Sequence, residues 1–83
     1  MTTNEQLVEK ICRIAQSRGL TPYRGYSGRM MFGATCIGFY GGHGPCMAAA
    51  EFIKRKTGRS YRYDNLALDT ICYFPGIEDV EPR

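Results

Sequence analysis

The residues with the spacing to do chemistry stand at Gly41-Gly42-His43-Gly44-Pro45, where three glycines and the single histidine precede an alanine-rich run. Amides at a helix entry can hold an anion, so Gly41, Gly42 and Gly44 form a candidate phosphate cradle. The segment lacks the lysine and hydroxyl residue of a Walker-type loop and does not follow Gly-x-Gly-x-x-Gly; a plain strand-to-helix turn is the competing reading. His43 can serve as a base near neutral pH or as a cation beside a phosphate. No serine or threonine adjoins it, and a nucleophilic couple with Cys36 or Cys46 has no supporting signature. Asp64 and Asp69, five residues apart, are too little for a two-carboxylate hydrolase. No catalytic residue, metal ligand or cofactor is assigned, and an enzyme ranks last among the function classes.

A second constellation is a mixture of arginine and tyrosine. Arg24, Arg29, Arg59 and Arg62 alternate with Tyr23, Tyr26, Tyr61 and Tyr63. Guanidinium and phenol faces stack on bases or cap acidic groups, and they are equally the usual anchors of protein interfaces. The aromatic consensus of an RNA-recognition motif is missing. The candidate binding residues are therefore Tyr23, Arg24, Tyr26, Arg29, His43, Arg59, Tyr61 and Arg62, with the Tyr26 to Arg29 turn as the leading surface.

Charge supports a polyanionic or acidic partner without specifying one. The net charge is +3, but residues 10–62 hold ten lysines and arginines against the single acid Glu51. Such a basic middle attracts nucleic acid, a phosphorylated ligand or an acidic protein surface, or serves only solubility. Cys12, Cys36, Cys46 and Cys72 lie 24, 10 and 26 residues apart, which matches no paired-ligand motif. Free thiols in a reducing cytoplasm are expected. No charged-then-apolar leader and no apolar run of ~20 residues is present, so a soluble cytoplasmic protein with no membrane partner is expected.

At 83 residues the chain reads as one domain, 1–83, near the size at which a single core suffices, with dimerisation a natural supplement. Thr3 and Gln6 are spaced as a capping box, and Leu7, Val8, Ile11, Ile14 and Ala15 mark one face of a helix over residues 4–18, ended by Gly19. Residues 20–28 hold a proline and two glycines and allow only a short edge strand. Residues 30–40 read as a long strand, apolar on both sides. A second helix over 46–56, with Pro45 at its first position and Gly58 beyond its end, would bury Cys46, Ala49, Ala50 and Ile53. After a polar connection, 66–74 read as the last strand, stopped by Pro75-Gly76. The predicted fold is α/β (α+β), order α-β-β-α-β: a small three-stranded antiparallel or mixed sheet with two helices on one face and the other face open to a partner or a second copy.

Two blocks, residues 26–38 (Tyr-Ser-Gly-Arg-Met-Met-Phe-Gly-Ala-Thr-Cys-Ile-Gly) and 64–75 (Asp-Asn-Leu-Ala-Leu-Asp-Thr-Ile-Cys-Tyr-Phe-Pro), resemble a family of small phage and prophage proteins. There the first block usually reads Tyr-Ser-Gly-Arg-Gly-Met-(Tyr or Phe)-Gly-Lys-Thr-Cys and the second approximates Asp-Asn-(Met or Leu)-Gly-Leu-Asp with an aromatic-Pro ending. Met30, Ala34 and Ala67 depart from that pattern. The resemblance implies a phage setting and no catalytic residue. The expectation that follows is a small binding protein that inhibits a bacterial defence system, such as CRISPR, by stoichiometric contact with a host protein or ribonucleoprotein complex. The alternatives are a protein that sequesters a signalling nucleotide at the 41–45 loop with Arg24 or Arg29, and a nucleic-acid-binding accessory protein.

Overall fold

Helical periodicity in two stretches supplies one layer of the fold and a twisted sheet the other. The computed structural model of the chain describes residues 3–28 and 31–79, with Thr3 described by its backbone alone. The order is α1 (Thr3–Ser17), β1 (Thr21–Tyr26), β2 (Cys36–Gly41), α2 (His43–Thr57), β3 (Arg62–Asn65) and β4 (Thr70–Glu78). Among the described residues this is an α+β arrangement of two helices and one antiparallel sheet of four strands, ordered β1-β2-β4-β3.

The expectation of three strands in the order α-β-β-α-β is corrected by β3, an edge strand read from sequence as a polar connection. Its residues are exposed except for a half-buried Asp64, so no apolar alternation marks it. Leu66 and Leu68, predicted to begin the last strand, instead form the β3–β4 turn, in which the Leu66 amide donates to the Asp69 carbonyl at 2.7 Å. Pro75-Gly76 does not stop β4. Between its pairings with Gly38 and Cys36 the strand advances from Tyr73 to Glu78, so the pair is absorbed in an irregular bulge where a missing amide costs nothing. β2 begins at Cys36, later than predicted, because 31–34 form a turn: the Ala34 amide donates to the Met31 carbonyl, and Phe32 and Gly33 have φ of 53° and 87°. Met30, the predicted strand start, lies outside the described residues.

The helices follow their predicted faces. Val8, Ile11 and Ala15 of α1 and Cys46, Ala49, Ala50 and Ile53 of α2 are buried against Ile37, Phe39, Cys72, Phe74 and Ile77 of the sheet. Phe39 and Phe74 meet at 6.1 Å between ring centroids, and each fully buried ring of this kind contributes about 1.5–3 kcal/mol. Gly19 and Gly58 adopt left-handed φ of 76° and 72° at the helix ends, as their predicted roles require. α2 begins at His43, which places Pro45 third rather than first. The capping box needs the Thr3 side chain, which lies outside the described residues. No helix of the described residues is long and apolar enough to cross a membrane.

Candidate functional site

A glycine bulge in β1 shapes the open face of the sheet. Tyr23 pairs with Gly38 and Tyr26 with Cys36, so β1 takes three steps where β2 takes two. Gly25, at φ 69°, absorbs the extra residue. In an unbroken strand Tyr23 and Tyr26, three apart, would point to opposite faces. The bulge turns both onto the face away from the helices, where their rings meet edge to face at 5.2 Å. Tyr40 joins them at 6.3 Å from Tyr23, and Tyr73 lies 4.9 Å from Tyr26.

The two blocks singled out in the sequence meet on this face. Gly28 lies so close to the Tyr73 ring that a Cβ there would fall 2.7 Å from Cζ, and its amide donates to the Met31 sulfur at 3.0 Å. Met31, Cys36 and Tyr73 form a small second core beneath Tyr26. The Tyr26 hydroxyl donates to Asp64 Oδ2 at 3.3 Å, joining the end of β1 to the far edge strand. Burial first, then the Asp64 carboxylate, pushes the Tyr26 phenol up to about 12, so it stays a protonated donor at neutral pH. Tyr73 is raised for the same reasons.

Between these walls runs a groove of about 740 Å³, lined by Tyr23, Tyr26 and Tyr40, by Ile71, and by Leu66 and Asp69 of the β3–β4 turn. A second depression of about 480 Å³ continues along Tyr26, Gly28, Asp64 and Leu66. Of the groove's lining, Tyr23 is 45% exposed and Leu66 47%; Leu68, in the same turn as Leu66, is 95% exposed.

The sequence-predicted residues are divided between places. Tyr23, Arg24 and Tyr26 lie on β1, while Arg59, Tyr61 and Arg62 line a shallow depression of about 320 Å³ beside Gly76 at the opposite sheet edge, so the arginine–tyrosine pattern does not form one surface. Arg24 is held by Asp79, with Nε 3.1 Å from Oδ2 and Nη2 2.8 Å from Oδ1. Tyr61 donates to Glu51 at 2.9 Å and packs on Phe74. Arg29 lies outside the described residues. His43 Nδ1 is 2.9 Å from the hydroxyl of Thr70, which is itself buried. Gly41 ends β2 under the Leu20 side chain, Gly42 caps α2 without a side-chain bond, and Gly44 sits in the first helical turn with open space around it.

The cysteines are all described and free. Cys46 Sγ approaches Cys72 Sγ at 3.2 Å and the Thr70 carbonyl at 3.3 Å within the core, away from the groove. The Cys72 thiol is pushed up by its hydrogen bond with Cys46 and by burial. Among the described residues no group of three or more His, Cys, Asp or Glu side chains could hold a metal ion.

Tyr40, Leu66, Asp69 and Ile71 were not marked as site residues by sequence reasoning, which placed Tyr40 and the 66–74 run in strands. The signal that could have found them is Asp64-Asn65 followed four residues later by Asp69-Thr70, polar pairs that bracket a hairpin turn. No protein-family model, curated protein or solved structure matches the chain.

Proposed function

We propose that the protein is a binding protein without catalytic activity, which acts by stoichiometric contact between the open face of its sheet and a protein partner. The observation that carries this reading is the groove walled by Tyr23, Tyr26 and Tyr40 and bordered by the exposed Leu66, with Leu68 exposed in the same turn. Tyrosines supply large contact area at low entropic cost, and exposed apolar side chains gathered at one concavity are the mark of an interaction surface. In the phage setting that the sequence resemblance implies, the partner is a host component and the consequence is inhibition of a defence system of the CRISPR kind.

A nucleic-acid reading draws on a different observation, the proximity of Arg59, Ser60 and Arg62 at the β3 edge. The nucleotide reading through Arg24 is weaker, because that guanidinium already has a carboxylate partner.

The test immobilises the protein and its Tyr23→Glu variant, matched for folding by circular dichroism, and exposes both to bacterial lysate. The expected result is a protein retained in about equimolar amount by the parent and lost with the variant. Equal retention by both, or retention of nucleotide or nucleic acid alone, overturns the reading. Light scattering of the free protein separates a second copy on this face from a foreign partner.

A further inference from the structure

We infer that the groove recognises a guanidinium group, the side chain of an arginine presented by the protein partner; this rests on the interface reading above and adds what the interface selects. The sign is opposite to that predicted by the basic composition of the chain. Three phenol rings line one concavity and differ in orientation, at 81° between Tyr23 and Tyr26 and 69° between Tyr23 and Tyr40, so a ligand there meets aromatic surface from more than one side. Ring faces attract cations, and a planar guanidinium can stack on one ring while its edge points elsewhere.

The charges around the groove complete the selection. Asp69 lines the groove and is exposed, while its backbone carbonyl accepts from the Leu66 amide and holds the turn. Asp64, in the adjoining depression, accepts from Tyr26 through Oδ2. A carboxylate at the mouth of an aromatic groove can take a guanidinium edge by two parallel bonds. The only cation lining the groove among the described residues is Arg24, and its charge is offset by Asp79 at 2.8 Å. Arg62 projects from the same sheet face opposite Tyr73, outside the groove lining. At about 740 Å³ the groove has space for the arginine and the backbone around it, within the usual range for ligand sites. Among the described residues that line the groove, a phosphate or nucleotide would meet Asp69 and a guanidinium already paired with Asp79.

The experiment titrates the full chain with an acetylated, amidated Gly-Arg-Gly peptide and with the same peptide carrying citrulline, which keeps the shape and removes the charge. Tyrosine ring proton resonances report the site. The expected result is saturable shifts of Tyr23 and Tyr40 in roughly the millimolar range with the arginine peptide, weakened about tenfold for citrulline. Asp69→Asn, an exposed turn substitution, is expected to weaken the arginine peptide about five- to tenfold and to leave the citrulline peptide unchanged. Equal affinity for the two peptides, indifference to Asp69→Asn, or binding of adenosine monophosphate at the same tyrosines in place of arginine overturns the inference. The two readings fail separately. If partner capture is lost in Tyr23→Glu but kept in Asp69→Asn, and the arginine peptide shifts nothing, the interface stands and the cation site falls.

Discussion

Arg24 and Asp79 close the sheet from outside its ladder: Nε and Nη2 of a residue inside the β1 bulge donate to the two oxygens of the carboxylate just beyond β4, at 3.1 and 2.8 Å. The Gly25 amide adds a third bond to the same carboxylate at 3.1 Å. The bulge that turns Tyr26 onto the open face is thus pinned by a charge pair on the other side of the strand. The Asp79 amide donates to the Thr35 carbonyl and the Thr35 hydroxyl donates to the Asp79 carbonyl, which holds the carboxylate's own segment in place.

Removing the guanidinium leaves Asp79, 6% exposed, with one backbone donor. Breaking a fully buried pair costs about 3–5 kcal/mol, but the Arg24 side chain is 39% exposed and water can replace part of what is lost. Arg24→Ala is expected to destabilise the chain by about 2 kcal/mol in urea unfolding. A midpoint equal to the parent's would show that the pair does not hold the bulge.

Cys36, Cys46 and Cys72 are buried, and Cys12 is half-buried beside Arg24. Burial raises the Cys12 thiol and pushes Cys36 up to about 11, so neither is an activated thiolate. A thiol reagent is expected to modify only Cys12, slowly, in the native protein and all four in denaturant. Four fast-reacting thiols without denaturant would mean that α2 does not pack on β4 as described.

Tyr26 and Tyr61 are both pushed from the ordinary 10.0 up to about 12, first by burial and then by Asp64 and Glu51 respectively. A raised acid of this kind favours the folded state while protonated. Its contribution is whole below pH 10.0 and is lost as pH rises toward about 12, because the unfolded chain releases the proton first. Stability is therefore expected to fall across that window, with tyrosinate absorbance rising late and together with loss of ellipticity. Tyr26→Phe should shallow the fall; an unchanged slope would separate the Tyr26 hydroxyl from folding.

What the sequence made legible depended on whether a residue's role was periodic. The helix faces through Val8, Ile11, Cys46 and Ile53 could be read because burial repeats with the helical turn. Strand β3 could not, since an edge strand with Arg62, Tyr63 and Asn65 exposed shows no alternation to read. The groove was half visible. Tyr23 and Tyr26 were marked by type, yet their common face depends on Gly25 adding one residue to β1, a register fact set by the partner strand. Arg24 was given a ligand-binding role because its partner Asp79 lies 55 residues away, beyond any local pattern.

Glycines give the last contrast, because two that look alike in sequence stand in different surroundings. A methyl at Gly28 would fall 2.7 Å from Cζ and 2.8 Å from Cε2 of Tyr73, a ring 2% exposed and held against Tyr26, so ring or loop must move. Overpacking of this sort costs about 1–3 kcal/mol. Gly44 lies in the first turn of α2 with nothing within 4 Å of a built Cβ and without a left-handed φ. Alanine there removes unfolded-state freedom and should stabilise by about 0.5–1 kcal/mol. With about 4–8 °C of melting temperature per kcal/mol for a domain of this size, Gly28→Ala is expected to melt clearly below the parent and Gly44→Ala slightly above it. If Gly28→Ala melts with the parent, Gly28 does not rest on Tyr73, and the floor beneath Tyr26 is not the one described; if Gly44→Ala melts below it, the helix entry needs a glycine for a reason other than turn geometry.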